Sequence, residues 1–131
     1  MKYLCSIYGD ESQWASATPE QIGQVMEAYG AFSEEAGQAG VIVAGEGLEL
    51  TSAATTLRVR DGERMLTDGP FAETKEQLGG FYLLECESLD EAIEWAAKIP
   101  GASSGSVEVR PVMNYEGAGA QDAQQSAAAQ S

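Results

Sequence analysis

The side chains able to do chemistry in this chain are carboxylates, tyrosines, lysines, arginines and two cysteines, because the sequence holds no histidine. Zinc sites of the Cys/His type, haem ligation by His, and Ser-His or Cys-His nucleophile pairs are therefore excluded. Any acid–base step must use a carboxylate, Tyr, Lys or Cys. Cys5 and Cys86 lie in apolar strand-like runs without a CxxC motif. We expect both to be reduced and buried, and we expect no cofactor.

Asp68, which precedes a Gly-Pro pair, is the candidate catalytic residue. In one interpretation its carboxylate accepts backbone N–H groups in a turn. In the other it is a general base or polar anchor at the mouth of a cleft. The candidate ligand-binding residues are Tyr8, Arg58, Lys75, Tyr82 and Arg110. Each has a structural alternative: the tyrosines could pack in the core, and the cations could pair with neighbouring acids.

The charge of the chain is strongly acidic, with 21 Asp and Glu residues against 7 Lys and Arg residues and a net charge of −14. Nucleic acids and anionic membrane surfaces are disfavoured as partners, because binding to them relies on Lys and Arg neutralising phosphates. Basic residues gather only in residues 56–75, where four of them stand against four acids. An anionic ligand, if the protein binds one, is expected to be held there. The alternative is a solvated hairpin with cross-strand ion pairs.

A length of 131 residues and an apolar fraction of 44% are typical of one globular domain. The apolar runs are far shorter than the ~20 residues of a membrane helix. The N-terminal segment reaches an acid at Asp10 and lacks the apolar centre of a signal peptide, so we expect a cytoplasmic protein. Residues 117–131 are of low complexity and are predicted to be disordered, which leaves residues 1–116 as the domain.

The elements that must position these side chains follow the order strand, helix, strand, hairpin, strand, helix, strand. Strands are predicted at residues 2–8, 41–44, 55–60, 64–67, 81–86 and 106–110, and helices at residues 18–39 and 88–99. Capping signals at Thr18 and Ser88 begin the helices, and Asp61-Gly62 indicates a tight hairpin. This order predicts an α+β, ferredoxin-like fold, a βαβ-hairpin-βαβ arrangement with two helices on one face of an antiparallel sheet.

The strands at residues 2–8 and 81–86 are apolar on both faces. An antiparallel sheet with one face in water alternates apolar and polar residues, and two helices cover only one face. We therefore expect the second face to pack against a second copy of the chain in a symmetric dimer. A large apolar ligand pocket on that face is the alternative.

Residues 67–82, TDGPFAETKEQLGGFY, resemble the YCII-related family, in the subgroup named for its Asp-Gly-Pro-Phe motif. The MKYL…IYGDE opening, the hairpin at residues 57–63 and the ending GSVEVRPV at residues 105–112 agree with it. The resemblance covers residues 1 to about 115. It implies a bacterial protein that forms a dimeric α/β-barrel from ferredoxin-like subunits.

The resemblance leaves the activity, and whether the protein is an enzyme at all, open. Some wider relatives are proposed to use a His-Asp pair in a cleft, of which this chain matches only Asp68. A few relatives of the fold act on small ring compounds. One hypothesis is thus a homodimer with a small-molecule cleft near the motif, for a small anionic or ring-containing ligand. The alternative is a non-catalytic regulatory or interaction module associated with an extracytoplasmic-function sigma factor, since family members commonly lie near genes for such factors.

Overall fold

The computed structural model describes residues 1–115, so the tail predicted to be disordered at residues 117–131 lies outside the described residues. The described part contains six strands and four helices. They are β1 (Lys2–Gly9), α1 (Glu11–Ala15), α2 (Pro19–Gln38), β2 (Ile42–Gly47), β3 (Thr55–Arg60), β4 (Glu63–Asp68), β5 (Gln77–Glu85), α3 (Leu89–Ala96), α4 (Gly101–Ser104) and β6 (Ser106–Pro111). A 3-10 helix at Thr51–Ala53 precedes β3.

Four of the strands form one antiparallel sheet in the order β2-β5-β1-β6, which is the order of a ferredoxin-like fold. The remaining two, β3 and β4, pair only with each other. The predicted α+β architecture, with a hairpin inserted between the second and third strands of the sheet, is confirmed. No helix among residues 1–115 combines the length and the hydrophobicity needed to cross a membrane.

The hydrophobic core lies between the two long helices and one face of the sheet. Its members are Tyr3, Cys5, Phe32, Ala36, Val41, Leu84, Cys86, Ala92, Ala96 and Ile99. Cys5 is fully buried and Cys86 is 3% exposed, and both are free thiols, as the sequence predicts. Burying these apolar side chains is the main source of stability for the subunit.

The opposite face of the sheet, which we call the second sheet face, is also apolar at its centre. Leu4 of β1 lies opposite Leu83 of β5, and Ser6 lies opposite Phe81. Both long helices bury their side chains on the other side of the sheet. The second sheet face is therefore left without a helical layer by residues 1–115.

Helix α2 begins as predicted, with the Thr18 hydroxyl accepting from the Gln21 backbone N–H at 3.1 Å and the Gln21 side chain accepting from the Thr18 N–H at 2.9 Å. Only Phe32 and Ala36, in its second half, are buried. The apolar stripe of the first half is not core, since Met26 is 59% exposed. The helix therefore stands away from the sheet over its first turns and leaves an open space beneath them.

Strands β3 and β4 form what we call the ribbon, residues 55–68, which turns at Asp61 and Gly62 with the positive φ angles that the Asp-Gly signal predicts. Its base is closed where the Gly69 N–H donates to the Ala54 carbonyl oxygen at 2.7 Å. No side chain of the ribbon is buried. The alternative of cross-strand ion pairs is not observed, because the three salt bridges among residues 1–115 all lie outside the ribbon.

Three elements differ from the sequence prediction. The break predicted after the first strand contains α1, because the Asp10 carboxylate caps it by accepting from the Ser12 N–H at 3.0 Å. Strand β2 continues to Gly47 instead of ending at Ala44. It can do so because glycines allow close approach: a Cβ on Gly80 would lie 2.9 Å from the Glu46 carbonyl oxygen. The short helix α4 follows α3 where the sequence indicated only a stop.

Candidate ligand-binding cleft

An open cleft of about 980 Å³ lies between the first half of α2 and the end of the sheet where β1 leads into α1. Its walls come from residues 7–11 and Trp14 on one side, α2 on another, and residues 45–50 and 77–82 on the third. The start of α4, at Gly101, adds to the lining. A volume of this size is at the upper end of pockets that bind small molecules, roughly 300–1,000 Å³.

Tyr82 of β5 forms part of the cleft wall and is held by contacts to α2. Its hydroxyl oxygen lies 3.1 Å from the hydroxyl oxygen of Ser33 on α2, so the two groups share a hydrogen bond across the cleft. Its ring packs against Phe32, with ring centroids 4.9 Å apart at a tilt of 58°. These contacts hold the Tyr82 ring in one position and leave its hydroxyl at the surface of the cleft.

Tyr29, one helical turn before Ser33, places a second phenol in the cleft. Its hydroxyl lies beside Gly101, where a Cβ atom would stand only 2.8 Å from the Tyr29 oxygen. Burial raises the pKa of Tyr29, and the nearby Tyr82 phenol acts in the same direction. Tyr29 is protonated at neutral pH, as an ordinary phenol also is, and so keeps an O–H donor.

At the rim of the cleft, Glu11 ties α1 to the two chain segments that flank the ribbon. Its carboxylate accepts from the Thr51 backbone N–H at 2.9 Å and from the Thr51 hydroxyl. The Glu11 N–H donates to the Gln77 side-chain oxygen at 3.0 Å. We call this set of bonds the Glu11 clamp. It fixes where the segment before β3 and the start of β5 lie relative to the cleft.

The charged side chains that line the cleft among residues 1–115 are all carboxylates, and none is Lys or Arg. They are Asp10, Glu11 and Glu49. Aromatic residues in the lining are Tyr8, Trp14, Tyr29 and Tyr82. An anionic ligand would meet negative charge without a compensating cation, so the lining favours a neutral or positively charged ring compound.

Of the candidate residues named from the sequence, the structure brings only Tyr8 and Tyr82 to the cleft. Asp68 ends β4 on the ribbon, is exposed, and its carboxylate makes no hydrogen bond within residues 1–115. Arg58 lies on the ribbon as well, and Lys75 is exposed in the segment before β5. Arg110 forms an ion pair with Glu108 at 2.7 Å on the edge strand β6.

Sequence reasoning missed Tyr29, Ser33 and Trp14 as cleft residues. Tyr29 falls at the spacing of the apolar stripe of α2, where a tyrosine is ordinarily core. The sequence feature that could have indicated them is the pair of glycines Gly45 and Gly101. Gly45 leaves room for the ring of Tyr82, and Gly101 leaves room for the hydroxyl of Tyr29. Among the described residues no group of three or more Cys, Asp or Glu side chains is arranged to hold a metal ion.

Comparisons with known proteins agree with the fold. The profile of the YCII-related domain family matches residues 1–116. An uncharacterized protein of Rhizobium meliloti (strain 1021) is 44% identical over 118 residues, covering 88% of this chain and 95% of that protein. The solved structure of 5-chloro-2-hydroxyhydroquinone dehydrochlorinase from Burkholderia phenoliruptrix AC1100, in complex with 2,5-dihydroxybenzoquinone, is similar with a TM-score of 0.51. It is 18% identical, over 87% of this chain and 95% of that one, which shows a shared fold.

Proposed function

We propose that this chain, which belongs to the YCII-related domain family, is a homodimer that binds a small ring-containing molecule in the cleft beside Tyr82. The observation that carries the proposal is the hydroxyl group of Tyr82, held 3.1 Å from that of Ser33 in an aromatic cleft. The ligand class is a ring that bears hydroxyl or carbonyl oxygens and carries no negative charge.

The hydroxyl groups in the cleft support this ligand class. A hydroxyl both donates and accepts a hydrogen bond, so Tyr82 and Ser33 can each serve a phenolic or carbonyl oxygen. Tyr29, a phenol that is protonated at neutral pH, supplies a further donor. Aromatic side chains around them offer flat apolar surface against which a ring can stack.

The charges of the lining argue against the anionic ligand expected from the sequence. The four basic residues of segment 56–75 do not line the cleft, and the acids that do would repel a carboxylate or phosphate. The similar dehydrochlorinase was solved with 2,5-dihydroxybenzoquinone. Oxygenated six-membered rings are therefore the first compounds to test on this chain.

The apolar second sheet face supports the homodimer. Leu4, Phe81 and Leu83 lie there on adjacent central strands, where a helical layer is lacking. A two-fold symmetric partner covers such a face with the same residues from the other copy. The alternative function, an interaction module beside an extracytoplasmic-function sigma factor, stays a prediction.

Binding is tested by isothermal titration calorimetry with phenol, catechol, hydroquinone and resorcinol, and with benzoate as the anionic counterpart. Tyr82→Phe removes the hydroxyl while keeping the ring. It should weaken binding of the phenols about tenfold, as expected for the loss of one hydrogen bond. Tyr115→Phe, which removes an exposed phenol outside the cleft, should leave affinity unchanged.

Two results would count against the proposed function. One is tighter binding of benzoate than of every phenol. The other is equal affinity of wild type and Tyr82→Phe for the compound that binds best. The homodimer is checked separately by light scattering at micromolar concentration, where the mass should be about twice that of one 13.8 kDa chain.

A further inference from the structure

The cleft is larger than a single ring can fill, and we propose that its ligand carries a hydrocarbon substituent on the oxygenated ring. The ring binds beside Tyr82, and the substituent lies along the first half of α2, against Val25 and Met26 and towards Trp14. This inference rests on the proposed function and narrows its ligand class to phenols and quinones that bear an alkyl or aryl group.

The volume of the cleft sets the size of the ligand. A closed apolar cavity of about 150 Å³ is enough to hold benzene. The cleft measures about 980 Å³, which is roughly six times as much. Even with half of that space left to water, room remains for a ring together with a substituent at least as large as the ring.

The first half of α2 supplies an apolar wall that a ring beside Tyr82 does not reach. Val25 and Met26 precede Ser33 by eight and seven residues, which is about 10–12 Å along the helix axis at roughly 1.5 Å per residue. Both line the cleft, where they are 38% and 59% exposed. A single ring bonded to Tyr82 and Ser33 leaves both side chains in water, whereas a substituent that follows the helix covers them.

The polarity of this wall favours a hydrocarbon. All of α2 is described by the structure, and none of its residues in the cleft lining is charged. The amides of Gln21 and Gln24 are the longest polar side chains that it contributes there. An apolar substituent along α2 therefore buries apolar surface without removing a charge from water.

The apolar wall is continuous with the hydroxyl groups beside Tyr82. Val25, Met26, Tyr29 and Ser33 recur at helical spacing, so they share one face of α2. Trp14 lies near the start of the same helix, because only residues 16–18 join α1 to α2, and its ring is 40% exposed in the lining. One molecule can thus bond to the hydroxyl groups at one end and cover apolar side chains at the other.

Calorimetric titration of the full chain with phenol, para-ethylphenol, para-butylphenol and para-hexylphenol tests the inference. Complete burial of one methylene strengthens binding about fourfold. Because the cleft is open, we expect about half of that burial and a gain of about twofold for each methylene. The affinity should therefore rise about 16-fold from the ethyl to the hexyl compound.

A pair of matched double variants tests where the substituent lies. Val25→Thr with Met26→Gln keeps the size of both side chains and makes the wall polar, so the hexyl-to-ethyl affinity ratio should fall below about fourfold. Val112→Thr with Met113→Gln makes the same changes at residues that are 37% and 70% exposed and do not line the cleft. This control should keep the wild-type ratio. Circular dichroism checks that both variants fold, and the wild-type series needs no variant.

The outcomes separate this inference from the proposed function. Tyr82→Phe should weaken every member of the series by about the same factor and keep the wild-type hexyl-to-ethyl ratio, because the two contacts are independent. A flat series in wild type, or equal ratios in the two double variants, overturns the inference. Phenol binding that depends on Tyr82 would then still uphold the proposed function. Absence of binding by every compound, the hexyl compound included, overturns both.

Discussion

Gly45 of β2 lies beneath the ring of Tyr82, so close that a Cβ atom on Gly45 would stand 2.6 Å from Cδ1 of that ring. The ring has little room to retreat, because Phe32 packs on it and Ser33 holds its hydroxyl. The absence of one side chain on β2 thus sets the position of a phenol in the cleft.

Replacing Gly45 with Ala is expected to displace the Tyr82 ring and to lower the free energy of unfolding by about 1–3 kcal/mol through overpacking. Binding of ring compounds should weaken as well. Gly47→Ala, two residues along β2, is the matched control, because a Cβ there meets open space. Urea denaturation and calorimetric titration measure the two effects. Equal behaviour of both variants would contradict the constraint on Tyr82.

Replacing Glu11 with Gln should loosen the Glu11 clamp. An amide keeps one acceptor oxygen for Thr51 and presents an NH₂ group where the second oxygen accepted a bond. We expect a loss of about 1 kcal/mol in unfolding free energy, measured by urea denaturation. Glu27→Gln, on the exposed surface of α2, should be neutral. If both substitutions cost the same, the clamp does not stabilise the fold.

The buried thiol of Cys5 predicts a loss of stability in alkaline solution. Burial raises its pKa from 9.0 to about 11, and the neighbouring Cys86 adds to the shift. Above pH 9 the unfolded chain releases this proton while the folded chain retains it, so the free energy of unfolding falls as pH rises to about 11. The fall between pH 9 and 11 is about 2 kcal/mol, out of about 2.7 kcal/mol for the whole shift.

Comparison with Cys5→Ala isolates this contribution from other alkaline titrations. Between pH 9 and 11 the free energy of unfolding should fall by about 2 kcal/mol more for wild type than for Cys5→Ala. Parallel curves for the two proteins would mean that the Cys5 thiol ionises equally in both states.

Asp68→Asn tests the candidate catalytic residue named from the sequence. Its carboxylate is exposed and makes no hydrogen bond within residues 1–115, so we expect a change in unfolding free energy within about 0.5 kcal/mol. Asp68→Ala should behave alike, since neither variant loses a bond within the subunit. Affinity for phenols should be the same in all three proteins. A selective loss of binding in Asp68→Asn would instead place Asp68 in a site.

Local signals in the sequence predicted the local structure well. The capping box at Thr18 and the Asp-Gly turn of the ribbon act within four residues, so their outcome depends little on the rest of the chain. Cys5 and Cys86 were expected to be buried because their neighbours are apolar strands, and they are. The order of elements then limited the topology to a ferredoxin-like sheet.

The cleft could not be predicted in the same way, because it depends on the distance between α2 and the sheet. The stripe that includes Val25, Met26 and Tyr29 has the spacing of a core-facing helix, yet only its continuation at Phe32 reaches the core. The Asp-Gly-Pro-Phe motif identified the family, but its residues lie at the base of the ribbon. Phe71, for example, is 79% exposed.

The Glu11 clamp makes the cleft and the ribbon parts of one thermodynamic linkage. Its bonds to Thr51 and Gln77 hold the two segments between which the ribbon is inserted, and Glu11 and Gln77 line the cleft themselves. Whatever restrains the ribbon therefore also reduces the conformational freedom of the cleft wall. By reciprocity, a ligand that orders the cleft wall also restricts the conformational freedom of the ribbon.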